Sequence, residues 1–367
     1  MDSIKSELGF LFSGRGMPYE KVCLMVAMVV TVVLSVLLGG NFAKDTPVVV
    51  IDLDNSHYSR QIIDDMNASQ YIKVTAIFNH SVEPESFFYR DKAAAVVYLP
   101  PELEKNIYTG VTAPIGVFYD NTNTALTADM KQALNEIVAT ENSMMSNGGA
   151  SGGLTLRDRN LFNPVGSTEN AQTEGFLFFF GSMFFVFATI GMVPRLRMTG
   201  ELQGILKNGE PWDLLFRLIP YGFSLLTSFM VGMAILRIWG DMVFSGELLS
   251  FVFIQFFYIF AVGTLSLLFG WNAANPGIAS SRMILFIPGG FILGGVTSPL
   301  THLSDWVVAI SHVFPLTWEF HFVRDIIMRG ATLTDLTREI GAFFVYVGII
   351  ALVFFLKFYN EKKALSA

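Results

Sequence analysis

The sequence predicts an α-helical polytopic membrane protein of six transmembrane helices, with an external α/β domain inserted between the first and second. Three observations predict it. Only 15% of the 367 residues are charged and 52% are hydrophobic, with 35 Phe, whereas globular chains average about 25% charged. Six uncharged runs approach or exceed the roughly 20 residues a helix needs to cross about 30 Å of hydrocarbon. Mean hydropathy is nevertheless only +0.49, so a polar block must dilute those runs.

The runs are Val22 to Ala43, Gly175 to Pro194, Leu218 to Leu236, Leu248 to Gly270, Met283 to Thr301 and Ile340 to Leu356. Trp306 to Trp318 is too short to cross and carries His312 and Pro315, so segment 302–338 is expected to be an external re-entrant or interfacial element. Within residues 1–21, Ile4, Leu8, Leu11 and Phe12 fall at helical spacing and suit an amphipathic helix on the membrane surface. Run 22–43 reads as a span rather than a cleaved leader, because it outruns a usual leader core and mixed charges precede it. Lys and Arg concentrate in residues 1–21, the loop 195–217 and the tail 358–367, which places both termini in the cytoplasm.

Residues 44–174 are the polar block, with 9 Lys and Arg against 17 Asp and Glu, a balance of −8 in a chain of net −7. That sign argues against nucleic acid as a partner. Strand patterns at Val48 to Leu53, Ile72 to Phe78, Ala94 to Leu99 and Pro114 to Tyr119 alternate with helical stretches. The helices fall around Ile62, Ile63 and Met66, after Pro84, after Pro100-Pro101, and from Thr124 to Met145. This alternation predicts an α/β domain. Asn147 to Gly153 and the polar run through Asn163-Pro164 are expected to form a flexible return to the membrane.

Several chemistries are absent from the sequence. The single Cys23 permits neither an intrachain disulfide nor a Cys-ligated zinc site. Gly149 to Gly153 fits G-x-S-x-G, but it follows a helix instead of a strand, so a linker is expected there and not a nucleophile. The five His lack metal-site spacing, so no metal is expected. None of the six runs contains Asp, Glu, Lys, Arg or His, which argues against ion coupling through the spans. No Lys follows a Gly, so a phosphate-cradling loop is excluded and any energy from ATP must come from another chain.

Two further features point to function. Phe176, Phe178, Phe179, Phe180, Phe184, Phe185 and Phe187 crowd the second run, where they could line an apolar route or face lipid. Gly290 and Gly294 in the fifth run form a G-x-x-x-G pattern that allows helices to approach closely. Between the second and third runs, Arg195 to Trp212 mixes basic residues with Leu202, Ile205 and Leu206 at helical spacing. An amphipathic element of that kind suits docking of a soluble partner.

The order of one span, a large α/β domain and five further spans resembles the permease subunits of the ABC type-2 transporter family, including type V exporters. Val48-Val-Val-Ile-Asp-Leu-Asp-Asn-Ser56 with Ser59-Arg60 resembles the family's first external strand and turn. Leu99-Pro-Pro-Glu-Leu103 through Gly110, then Tyr119-Asp-Asn-Thr-Asn123, resembles its strand–helix–strand signature, and Phe314 to Trp318 with Arg324 to Gly330 its proline-containing segment. The cytoplasmic signature departs from the usual form, with Arg195-Leu196 and Gly200 to Leu206 in place of the customary residues, while Pro211 is kept.

The resemblance implies a bacterial inner-membrane exporter of amphipathic, drug-like or lipid-like molecules. It implies ATP and Mg on separate cytoplasmic ABC ATPase subunits and no cofactor on this chain. A second permease copy or a sibling permease is implied too, and the external domain could meet a periplasmic adaptor protein and an outer-membrane channel. Arg195, Arg197, Glu201, Gln203, Leu206 and Pro211 become candidate coupling residues, and Phe179, Met183, Phe184, Phe187, Phe286, Ile287 and Phe291 a candidate substrate path. Two other readings remain: a receptor or scaffold binding a partner through the external domain, and a membrane-embedded enzyme using His302, Asp305, His312, Glu319 and His321 in the region ending at Arg324.

Overall fold

The computed structural model describes residues 45–366, apart from 123, 148–151, 164–167, 240, 241, 243, 298, 299, 301 and 302. The expected amphipathic helix 1–21, the first span 22–43, His302 and much of the G-x-S-x-G stretch lie outside the described residues.

The α/β domain is built on β1 (Thr46–Asp52), β2 (Ile72–Phe78), β3 (Ala95–Leu99), β4 (Ala113–Asp120) and β5 (Leu154–Leu161), in the order β2-β1-β3-β4-β5. All neighbours are parallel except β3 and β4. β1 reads Val-Val-Val-Ile because both of its faces are covered. Val48 and Val50 meet α1 (His57–Ala68), α2 (Leu103–Tyr108) and α3 (Thr124–Asn147), while Val49 and Ile51 meet Phe88 and Leu161.

Local polar chemistry sets the turns of this domain. Ser56 and Ser59 form a reciprocal capping box at the start of α1. The Asp54 carboxylate accepts from the N–H groups of Leu103 and Glu104 at 2.9 and 3.1 Å and so caps α2 from across the domain. Pro100 and Pro101 form the turn ahead of α2 rather than its first residues, because Glu102 takes a left-handed φ of 61°.

β5 corrects the expectation of a flexible return. Its sequence, Leu-Thr-Leu-Arg-Asp-Arg-Asn-Leu, lacks an apolar run because it is an edge strand, buried at its two terminal Leu and exposed between them. Charge on such an edge discourages pairing with other chains.

Four described helices are long and apolar enough to cross a membrane: Glu174–Met198, Pro211–Trp239, Leu248–Gly270 and Thr337–Leu365. They are made by α4 (Thr168–Ile190) with α5 (Met192–Met198), α7 (Pro211–Phe216) with α8 (Ile219–Trp239), α9 (Leu248–Gly270) and, after the short elements below, α14 (Thr337–Ser366), while α6 (Glu201–Asn208) lies in the connecting loop between the first two. α4 and α8 meet through reciprocal glycine contacts. Gly181 leaves room for Phe229 and Gly232 for Leu177.

The fifth run, Met283 to Thr301, is not a continuous helix. It is divided among a 3-10 turn, Arg282–Leu285, and α11 (Ile287–Leu293), after α10 (Pro276–Ser281). Pro288 cannot donate to the preceding turn, and Gly294 and Gly295 end the helix, the latter at φ +90°. The pair Gly290 and Gly294 packs α11 against Leu316 and Phe320 of α13 (Pro315–Phe322). Segment 302–338 is likewise short: α12 (Asp305–Ser311), α13, and a π-helix at Val323–Met328.

The bundle also buries carboxyl groups that the apolar runs did not contain. Glu174 opens the first described span and is 4% exposed, and Glu319 of α13 is fully buried. Gln255 Nε2 in α9 donates to Glu319 Oε1 at 2.6 Å. The run boundaries missed these carboxyls because each sits just outside a run or on a short helix that folds back into the bundle.

Candidate functional site

Two ends of the bundle and one cavity carry the candidate chemistry. At the end remote from the α/β domain, α5, α6 and α7 make three short steps. Their apolar side, including Leu196, Leu202, Leu206, Leu214 and Leu215, packs with Trp271, Phe354 and Phe358 into a separate cluster. Gly200, at φ +80° with open space around it, lets the chain turn between α5 and α6. Arg195, Arg197, Glu201 and Gln203 are exposed on the other side, whereas Leu206 and Pro211 are buried. Leu206 and Pro211 therefore hold the shape of the loop and do not present a contact.

Arg217 pairs with Glu201 at 3.3 Å, and Arg197 donates to the Ala273 carbonyl at 3.3 Å. The last turns of α14 brace the loop from below, with Tyr359 donating to Glu210 and Lys362 to the Gly209 carbonyl. Trp212, 47% exposed, lies against Phe216 and Phe355 beside this polar face.

An apolar cavity of about 620 Å³ opens between α4 and α8, lined by Phe176, Phe180, Phe184, Tyr221, Ser228 and Ile235 among others. Of the expected path, only Phe184 lies on it. Phe179 meets Phe291 with ring centroids 4.4 Å apart, and Phe184 and Phe187 lie exposed on the outer side of α4. Met183 is partly buried against the core. Phe286 and Ile287 are buried, Phe286 stacking on Phe269 at 4.7 Å, so they pack the bundle and do not line an open route. The seven residues thus do not line one route: Phe179 and Phe291 meet at the α4–α11 contact, Phe184 and Phe187 lie on the surface of α4, and Met183, Phe286 and Ile287 pack with the core.

At the end bearing the α/β domain, an ionic contact joins domain and bundle. The pairings of the sheet bring the starts of β1 and β3 and the ends of β4 and β5 to one edge, since Ala94 N–H donates to Pro47 and Asp120 N–H to Ala94. That edge carries Asp91 and Asp120. Arg329, just past the π-helix, donates to both, and to Asp325 Oδ1 at 2.5 Å. Arg324 lies 3.4 Å from Asp91, and His321 lies 3.5 Å from Asp91 and 3.6 Å from Asp325. Beside them Arg90 pairs with Glu339 of α14 at 2.9 Å.

Burial alone would raise the Asp91 carboxyl, but Arg329, Arg324 and His321 outweigh it and hold Asp91 well below the usual carboxylate range. Burial would likewise weaken the charge on Arg329, yet Asp120, Asp91 and Asp325 together secure it. Sequence reasoning missed this contact. The available signal was Arg324, Asp325 and Arg329 on nearly successive turns within an otherwise apolar stretch.

The proposed enzyme cluster has its polar groups engaged separately. His312 Nδ1 lies 2.7 Å from the Val308 carbonyl, Glu319 takes the Gln255 amide, and His321 lies between two aspartates. Asp305 is exposed. No metal-ligating group is found among the described residues.

Long apolar helices around a core of aromatic side chains, with short broken helices folded between them, define a multi-pass membrane protein. Residues 22–358 match the family described as ABC-2 family transporter protein, and the chain belongs to that family. It is accordingly a membrane component of a transporter, and the family implies association with an ABC ATPase subunit. No curated protein and no solved structure matches the chain.

Proposed function

We propose that the chain is the permease subunit of an ATP-driven exporter that moves amphipathic, lipid-like or drug-like molecules out of the cytoplasm or inner leaflet of a bacterial inner membrane. The observation that carries this reading is the loop 195–217, polar and exposed on one side and anchored to the bundle through Leu202, Leu206 and Leu214 on the other. A load applied to such an element passes into the helices that hold it. ATP and Mg belong to the partner ATPase, and two permeases would pair with two ATPases.

In this reading both termini are cytoplasmic and the α/β domain is outside, where it either meets an adaptor protein or gates the exit. The phenylalanines of α4 and the cavity beside α8 suit an apolar cargo, because aromatic walls gain by burying its surface without fixing its orientation. Co-purification from native membranes tests the reading. A stoichiometric ATPase is expected, with ATP hydrolysis reduced by Arg195→Glu and Glu201→Arg. A wild-type chain that emerges from mild extraction without an ATPase overturns it.

A further inference from the structure

The contact between domain and bundle is built unlike a passive rest. Arg329 is 4% exposed and Asp120 and Asp325 are 5% and 0% exposed, so these charges are removed from water; Arg329 keeps Asp325 within the bundle, but it reaches Asp91 and Asp120 only while domain and bundle stay in register. Its local backbone is unusual on both sides. On the domain side Arg90 and Asp91 adopt φ of +65° and +50°, an unfavourable pair for residues with a Cβ that the surrounding contacts must hold in place. The Arg90 N–H reaches the Asp325 carboxylate at 3.3 Å and its guanidinium donates to the Asp335 carbonyl.

On the bundle side the carriers Arg324 and Asp325 lie in a π-helix, a rare form found mostly at functional sites. That π-helix continues directly from α13, and the loop before α9 clasps it, with Ser245 N–H donating to the Ile327 carbonyl at 2.8 Å. Gly246 approaches Ile326 so closely that no Cβ would fit there. One continuous segment thus holds Glu319, bonded to α9 inside the bundle, and Arg329, bonded to the domain about 15 Å further along by helical rise.

We propose that Arg329 is a coupling residue that fixes the α/β domain to the α13–π-helix segment, so that rearrangement of the bundle during transport moves the domain as a rigid attachment. The inference rests on reading the chain as an exporter subunit, but its mechanical part can be measured without transport. A merely stabilising ion pair would let the domain keep its place when neutralised, at some cost in stability. A coupling residue would not.

The test uses the full chain with its ATPase, in a Cys23→Ser background, with spin labels at Ala128→Cys on α3 and Ala309→Cys on α12, both exposed positions. A narrow distance distribution is expected, shifting when a non-hydrolysable ATP analogue is added. In Arg329→Met the distribution broadens and the shift is lost. Export falls by about tenfold, within the usual range of coupling free energies, while ATP hydrolysis stays within about twofold.

A distribution as narrow as wild type in Arg329→Met, or export unchanged despite broadening, overturns the proposal. If Arg329→Met fails to accumulate, Asp120→Asn leaves Arg329 two carboxylates, and the same two readings are expected at intermediate size. Unchanged readings there overturn the proposal in the same way. A wild-type complex without ATP-dependent export defeats the exporter reading alone, and the width of the distance distribution still judges the attachment.

Discussion

The α/β domain and the membrane bundle solve the same problem of burial with opposite means. In the domain, polar side chains close turns and cap helices, as Ser56, Asp52 and Asp54 do around α1 and α2. In the bundle, backbones approach where side chains are missing: Gly270 faces the Ile190 carbonyl, and Gly181 and Gly232 admit Phe229 and Leu177. Water is available to turns outside the bilayer, so a lost cap there is partly replaced. Lipid offers neither a hydrogen bond nor a hydrophobic drive for helix association, so contact quality and internal polar pairing decide stability. Where the two regions meet, the contact is neither a cap nor a close packing but a buried ionic junction.

The largest expected effect falls on that junction. Asp325→Ala strips a buried partner from Arg329 and should cost about 3–5 kcal/mol, read as accelerated proteolysis at the edge between domain and bundle. Equal digestion of variant and wild type would show the two regions to be independent. Acid should loosen the same place. Because Asp91 is held below its ordinary value, its contribution is complete above about pH 3.9, the unfolded carboxylate value, and is lost as pH falls through the depressed native one. On acidification from neutral pH, domain release should therefore begin only below that point, and acid release well above it would contradict the assignment.

Within the bundle, Gly270→Ala drives a Cβ into the Ile190 carbonyl, and the helices must part, at about 1–3 kcal/mol. Gln255→Leu should cost a similar amount, since it leaves Glu319 buried without its donor. Thermal unfolding in detergent measures both. In the domain, Ser56→Ala should cost about 1 kcal/mol, the ordinary value of an N-cap. The smallest change is Gly204→Ala on the exposed side of α6, where nothing lies within 4 Å. Up to about 1 kcal/mol of added helix stability is expected there. A destabilised Gly204→Ala beside a tolerated Gly270→Ala would invert the contrast between open and close-packed glycines.

Much of this architecture was legible because its signals are local. Val48 to Leu53 had to be a strand covered on both faces, and the runs beginning at Gly175, Leu218, Leu248 and Ile340 carry their own length and apolarity. Two elements were misjudged because their environment, not their composition, decides their form. β5 has the polarity of a linker, yet the edge of β4 supplies its backbone partners. Met283 to Thr301 has the apolarity of a span, yet Pro288 and four glycines let it fold against α13.

The loop 195–217 was visible in its mixed pattern, but which residues face outward was not. Helical spacing placed Leu206 on the apolar face, and only the packing against Phe354 and Phe358 revealed that it serves the core.

The sequence alone determined that this is a membrane protein with one polar domain, that it lacks a phosphate cradle, and where most helices and strands run. Such properties depend on hydrophobic length and on residues near one another in the chain. Only the tertiary structure decided that Asp91, Asp120, Asp325 and Arg329 share one buried contact, and that Glu319 finds Gln255 inside the bundle. Charge pairing across more than 200 residues of chain leaves no periodic trace, because its energy depends on distance and desolvation in space and not on spacing in sequence.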